Sequence, residues 1–369
     1  MNNDFQDLNV NVIDPLNNKV FNANLIKKNA GFKITNIHET IDENTNLFLT
    51  PGWIDIHTHI YDGVTQLSIP PNEIGMKHGV HLLADAGSAG EATIDGFKKY
   101  IVPQSNIKIK AWLNISSIGL VHLREGSDVN YLNPERTVEA VNKNRDLICG
   151  IKVRSSGDIV GAAGLQSLKL AKLVARETKL PLMVHIGETP PLIEDILELL
   201  DEGDVITHCY HGKLGKPWKD DGTPIKALQQ AMERGVKLDV GHGAASFSLD
   251  VCRKAVSKEY IPTTISTDLH IRNIKGPVFD LATTMNKLLA CGMDLQEVIK
   301  SVTLYASNIL QIEDWCHLDL ENIDNITLFR LQDHIGKGGY KDTSGKILVP
   351  DKEINPIGVI TDGTYFKIK

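Results

Sequence analysis

The sequence predicts an α/β fold, a (β/α)8 TIM barrel with a small β-sandwich domain built from both chain ends. Three observations carry that prediction. From about residue 51, short runs rich in Val, Ile and Leu alternate with stretches that repeat apolar residues at helical spacing, and eight such pairs can be counted. The flanks, residues 1–50 and 321–369, are instead β-branched, punctuated by turn residues and without helical periodicity. Polar residues stand repeatedly just after the apolar runs of the middle section, where the mouth of a barrel would gather them. An open doubly wound sheet would need a Gly-rich phosphate turn after its first strand, and GxGxxG is absent there. The expected division is a barrel over 51–320 and one accessory domain from 1–50 and 321–369.

Taken in order, the expected barrel strands are Trp53–Ile60, His81–Gly87, Ile109–Ser116, Ile148–Arg154, Leu182–Gly187, Asp204–Cys209, Val236–Gly241 and Thr263–Leu269. Each has the length and near-continuous apolar character of a parallel strand buried on both faces. The clearest helices between them are Pro134–Asp146, Leu165–Thr178, Pro191–Leu200, Ile225–Arg234 and Ser246–Tyr260. PERTVEAV and PPLIEDIL both open on Pro with acidic residues just behind it, which suits a helix start.

Composition narrows the functional classes. Thirty-nine Lys and Arg against 46 Asp and Glu give a net charge of −7, and no basic block occurs, so nucleic acid is not an expected partner. The opening MNNDFQDLNV lacks the basic and apolar regions of a signal peptide, and no apolar run approaches the ~20 residues of a membrane span, so a cytoplasmic protein without membrane contact is expected. The five cysteines, at 149, 209, 252, 291 and 316, are odd in number and scattered, which indicates neither a disulfide framework nor a thiolate zinc site.

Histidine placement carries the chemistry. The first strand ends in His57-Thr58-His59, and side chains two apart on a strand share a face, so both imidazoles point into the barrel at its mouth. Strand five ends in His185, strand six in His208 and strand eight in Asp268, each directly after an apolar run. Any one alone reads as a loop hydrogen bond or a turn cap; together, equivalent strand ends converge on one point. Lys152, between Ile151 and Val153 near the end of strand four, joins them. A buried ammonium beside other cations is disfavoured, and the neutral amine can take up carbon dioxide as a carbamate, an anionic oxygen ligand able to bridge two metals. Imidazole and carboxylate donors without thiolates suit Zn2+ first, then Mn2+, Fe2+ or Co2+. The expected centre holds two divalent ions, one on His57, His59 and Asp268, the other on His185 and His208, with carboxylated Lys152 between them. Asp268 is also the expected catalytic residue, accepting a proton from a metal-activated water and passing it to the leaving group.

Around this set, Arg154 shares a strand face with Lys152 and offers a planar fork to a carboxylate or phosphate, an ion pair at the rim being the other reading. His242, flanked by Gly241 and Gly243, completes the expected substrate-binding residues with Tyr61 and Tyr210, for which loop hydrogen bonding is the alternative. Ser88, His211 and His270 are rim positions by the same logic, while His38, His317 and His334 fall outside the strand ends.

PGWIDIHTHIYDG, the strand-four lysine, the two single histidines and STDLH together resemble the amidohydrolase superfamily, in its binuclear, carboxylated-lysine subtype that includes dihydroorotases and hydantoinases. LADAGSAGEATIDGF, GIKVRSSG, THCYHGK and DVGHGAASFSL are similar to its amidohydrolase/deacetylase branch, often labelled dihydroorotase-like or adenine deaminase-like. The resemblance covers nearly the whole chain and implies hydrolysis of an amide, a cyclic amide or an ester. Dihydroorotases follow HxH with an arginine that holds the substrate carboxylate; here Ile60 and Tyr61 follow His59. Adenosine-type deaminases of the superfamily usually hold one metal without the bridging lysine, so Lys152 argues against purine deamination. The expected activity is deacetylation of a small, anionic acylated compound, with cyclic-amide opening or, behind it, an adenine deaminase-like reaction second and a metal-free binding module third. A homo-oligomer is compatible with all three.

Overall fold

The computed structural model describes residues 5–335 and 338–368. The chain opens with four strands, β1 (Leu8–Asp14), β2 (Lys19–Lys27), β3 (Phe32–His38) and β4 (Leu47–Pro51). Seven parallel strands follow: β5 (Trp53–Thr58), β6 (Val80–Gly90), β7 (Lys108–Asn114), β8 (Ile148–Arg154), β9 (Leu182–His185), β10 (Val205–Thr207) and β11 (Lys237–Asp239). It ends with β12 (Ile326–Asp333), the short β13 (Tyr340–Lys341) and β14 (Ile347–Leu348), β15 (Lys352–Thr361) and β16 (Thr364–Lys367).

Strands β5 to β11 lie side by side in chain order, as a barrel requires. The expected eighth strand, Thr263–Leu269, forms no regular strand, yet it closes the barrel. It bridges Asp239 through Thr264 on one side and Thr58 through Leu269 on the other. Its neighbours bond to it along both edges: Val240 and His242 donate to the Thr264 and Ser266 carbonyls, while Asp268 N–H donates to His57 and His59 N–H to Leu269. Side chains interrupt the ladder, because Asp55 takes the Thr267 N–H and Ser266 Oγ takes the Gly241 N–H. The count of eight helical partners is also corrected. Between β5 and β6 only single 3-10 turns form, at Pro71–Glu73 and Met76–His78, where Pro70, Pro71, Gly75 and Gly79 interrupt helix propagation.

The helices expected after the later strands are present with shorter ends, at Pro134–Lys143, Gln166–Thr178, Ile193–Glu198, Lys226–Glu233 and Leu249–Val256. Asn133 and Ser248 cap two of them by accepting the Arg136 and Val251 N–H groups. Three more helices, Leu281–Ala290, Leu295–Val302 and Leu304–Ile309, complete the shell. The last packs Ala306 and Ile309, with Trp315, against Ile54, Leu82, Met183 and Val205. Trp315 Nε1 donates to the Gly52 carbonyl just ahead of β5, which seals the end of the barrel opposite the mouth.

Both chain ends build one seven-stranded sheet in the order β16-β15-β12-β4-β1-β2-β3. The junction is β4, parallel to β1 and antiparallel to β12. Val10, Val12, Leu25, Leu49, Ile326, Leu328 and Ile360 form its own apolar core. Among the described residues no helix is long and apolar enough to cross a membrane.

Candidate metal centre

The six strand-end side chains singled out by the sequence form one connected cluster, buried except for the half-buried His185. Asp268 is its hub: Oδ1 lies 3.4 Å from His57 Nε2 and 3.0 Å from His59 Nε2, and Oδ2 lies 4.0 Å from His208 Nε2. Ligand atoms of His57, His208 and Asp268 all fall within 4.8 Å of one another. Lys152 Nζ stands 3.3 Å from His57 Nε2, and His185 Nδ1 stands 2.8 Å from His208 Nε2. Lys152 reaches this point because Gly87, at φ +87°, leaves its flank open: a Cβ there would lie 2.6 Å from Lys152 Cγ. His208 and Asp268 themselves sit at φ 68° and 48°, left-handed conformations that side chains seldom adopt outside sites that need them.

The surroundings fix which nitrogens face inward. His208 Nδ1 lies 2.5 Å from the Gly241 carbonyl, an acceptor only, so Nδ1 carries the proton and the Nε2 lone pair faces His185 and Asp268. Thr207 Oγ1 donates to Asp239 Oδ2 at 2.7 Å, so it accepts from His57 Nδ1 at 2.9 Å and turns the Nε2 lone pair toward the cluster. Asp239 also accepts from Thr264 and Ser266, and Asp55 accepts from Thr267 and the His57 N–H. Ser88 Oγ meets His59 Nδ1 at 3.0 Å, and Asp85 holds Ser88 through its N–H. Such backing of metal-ligating imidazoles orients the ring and raises its basicity.

Electrostatics match a cation-binding role. Burial first, then the Lys152 amine, push His57 well below the usual imidazole range; burial first, then His208, do the same to His185. Burial brings His208 down to about 3 and Lys152 down to about 7. Burial opposes ionisation of Asp268, but His57, His59 and His208 hold its carboxyl well below the usual range. Buried imidazoles gathered around a carboxylate are the donor set a divalent cation takes.

The outer residues are placed differently. Arg154 is bidentate to Glu125, Nε to Oε1 at 2.7 Å and a terminal nitrogen to Oε2 at 2.5 Å, and it also donates to the Leu123 carbonyl. Glu125 is only 2% exposed, and freeing a guanidinium from so buried a carboxylate costs about 3–5 kcal/mol. Tyr210 is buried in the core, stacked on Trp218 with its hydroxyl on the Tyr260 carbonyl. Tyr61 is buried against Phe97 and donates to the Thr93 carbonyl. The structure therefore commits Arg154, Tyr210 and Tyr61 to protein partners. His242 is fully buried between Phe247 and Lys287, whose Nζ lies 2.7 Å from its Nε2. Sequence reasoning missed Asp239, Thr207, Asp55, Glu125 and Lys287. Asp239 and Thr207 end β11 and β10 and carried the same signal, a polar residue closing an apolar run; Glu125 and Lys287 carried none.

No protein-family model matches the chain. A deacetylase of Agrobacterium fabrum is 42% identical to it over 289 residues, 78% of this chain and 71% of that one. A deacetylase of Enterococcus faecalis is 34% identical over 331 residues, 89% of each chain. Among solved structures, a dihydroorotase superposes with a TM-score of 0.82 at 35% identity, over 95% of this chain and 93% of that one. An adenine deaminase superposes with a TM-score of 0.84 at 31% identity, over 97% and 99%.

Proposed function

This chain belongs to the amidohydrolase superfamily, and from that premise we propose that it is a metal-dependent deacetylase acting on a small anionic acyl compound. The observation that carries the reading is the position of Asp268, one carboxylate touching the His57–His59 pair with one oxygen and facing His208 and His185 with the other. His57, His59 and Asp268 would hold one divalent ion, His185 and His208 a second, and Lys152 would stand between them. Zn2+ fits the imidazole and carboxylate donors best. When bound, such ions supply a water of lowered pKa and polarise the oxygen of an acyl carbonyl.

The chain's own residues do the rest. Asp268 stays ionised, so it is available to accept a proton and return it to the departing nitrogen or oxygen. Lys152, brought down to about 7 by burial, offers a neutral amine at physiological pH. Its Nζ adds to the carbon of carbon dioxide and releases one proton, leaving a carbamate anion beside His57. Thr207 and Asp239 hold the His57 ring in the required tautomer throughout.

Cyclic-amide opening is the weaker reading, because Ile60 and Tyr61 follow His59 and both are buried, so neither presents a cation to a ring substrate. The test is a protein expressed with zinc and bicarbonate, analysed for metal and screened for acetate release from N- and O-acetylated acids beside hydantoins and dihydropyrimidines. About two metal equivalents and acetate release are expected. Ring opening without acetate release would overturn the deacetylase reading. Lys152→Ala should lower the metal content.

A further inference from the structure

We propose that Lys213 and Ser156, across Gly187, form the subsite that takes the anionic group of the substrate. This rests on the reading of the substrate as a small anionic acyl compound and assigns that anion to particular side chains.

Three loops meet at Gly187, two residues beyond His185. A Cβ placed on this glycine would lie 2.8 Å from Ser156 Oγ, 3.5 Å from Lys213 Nζ and 3.7 Å from His185 Nε2. Only a glycine lets the hydroxyl, the ammonium and the imidazole nitrogen close on one point of the backbone this tightly. His185 turns Nδ1 to the metal cluster, so this point adjoins the centre through the opposite edge of the same ring. Ser156 is fully buried, and its hydroxyl faces the Glu188 carboxyl, which it helps to hold below the usual carboxylate range, without a hydrogen bond of good geometry to it. Ser155, beside it, has an unpaired buried hydroxyl.

The backbone around this point is fixed from both sides. Ser155 N–H donates to the His185 carbonyl at 2.9 Å and Gly157 N–H to the Glu188 carbonyl at 2.9 Å, tying the loop after β8 to the loop after β9. His211 Nδ1 accepts the Lys213 N–H at 3.1 Å and so positions Lys213 from the loop after β10.

A carboxylate already occupies this place. Glu188 Oε1 lies 2.6 Å from Lys213 Nζ, and its carboxyl lies beside Ser156. That carboxylate is 49% exposed, so it can swing into water without being stranded, whereas the Glu125 partner of Arg154 cannot. Of the two cations, Lys213 is the one that an incoming carboxylate can claim, with Glu188 acting as an internal competitor that leaves when substrate enters.

The experiment uses the zinc-loaded protein and two non-hydrolysable probes, N-methylsulfonylglycine and its uncharged amide, with dissociation constants from titration calorimetry. Wild type is expected to bind the acid about tenfold more tightly than the amide. Lys213→Met should erase the preference, Ser156→Ala should reduce it, and Glu188→Gln should strengthen binding of the acid. Equal binding of both probes by wild type, or a preference that survives Lys213→Met, would overturn the proposal. Because binding is read without turnover, the deacetylase reading fails separately, by absence of acetate release from wild type whose preference for the acid is intact.

Discussion

The terminal sheet and the barrel mouth are both buried, but they are held together by opposite means. In the sheet, Val12, Leu49 and Leu328 stack across β1, β4 and β12, and water exclusion alone stabilises them. At the mouth, His57, His59, Lys152, His208 and Asp268 are buried with scarcely an apolar neighbour in the cluster, and each opposes or demands a charge on the next. The sheet is completed by its own apolar side chains, whereas the mouth gathers groups suited to a cation. The candidate site therefore sits where buried polar groups oppose one another, between the apolar sheet and the sealed barrel base.

The contrast breaks most sharply at the hub. Asp268→Asn keeps the size of the side chain but removes the proton acceptor, and acetate release should fall by about 10²–10⁴-fold with little change in the thermal midpoint. Wild-type turnover in this variant would remove Asp268 from the chemistry. The mirror experiment lies in the sheet. Leu49→Ala should cost about 2–5 kcal/mol in urea unfolding while the folded fraction keeps its turnover per metal. A loss of turnover at full folding would show that the two regions are not separable.

His81 sharpens the comparison, because it is a titratable group on the sheet's side of the molecule. It is buried beneath β12, donates to the Ile326 carbonyl, and burial brings it down to about 4 from 6.5. The unfolded chain takes up its proton near 6.5 and the folded chain only near 4, so its contribution is complete above pH 6.5 and is lost as pH falls toward 4. The expected loss is about 3 kcal/mol, read as the difference between wild type and His81→Gln in unfolding midpoints across that window. Equal slopes in the two proteins would contradict it. The smallest effect is at Asp239→Asn. The new amide disturbs the hydroxyl relay through Thr207 to His57, and metal affinity or kcat/KM should drop by about 10–100-fold.

The convergence of the candidate ligands was legible because it obeys simple periodicities. Two-residue alternation along β5 put His57 and His59 on one face, and the repeat of an apolar run ending in a polar residue marked His185, His208 and Asp268. The architecture followed from the same alternation of periods. What the sequence did not disclose depends on which groups pair once the loops are closed. Arg154 shares the strand face of Lys152 as expected, but the carboxylate that occupies it comes from Glu125 in a loop with no periodic signal. Tyr210 follows the candidate ligand His208 by two residues, yet His208 has a left-handed backbone there and the chain turns Tyr210 back onto Trp218. The eighth strand was placed correctly in sequence but not as a regular strand, because Ser266, Thr267 and the buried carboxylates intercept backbone donors that a ladder would use.

The position of β4 between β1 and β12 also governs how the protein is made. Its partner β1 emerges from the ribosome before it, but β12 follows only after the entire barrel has been synthesised, on the order of tens of seconds later. For that interval the Leu47–Pro51 edge, mostly apolar and buried in the finished sheet, stands open beside a folding barrel. Slow translation through the barrel would thus lengthen the lifetime of an unpaired strand edge, and the nascent chain has reason to engage a chaperone on this segment until its last strands arrive.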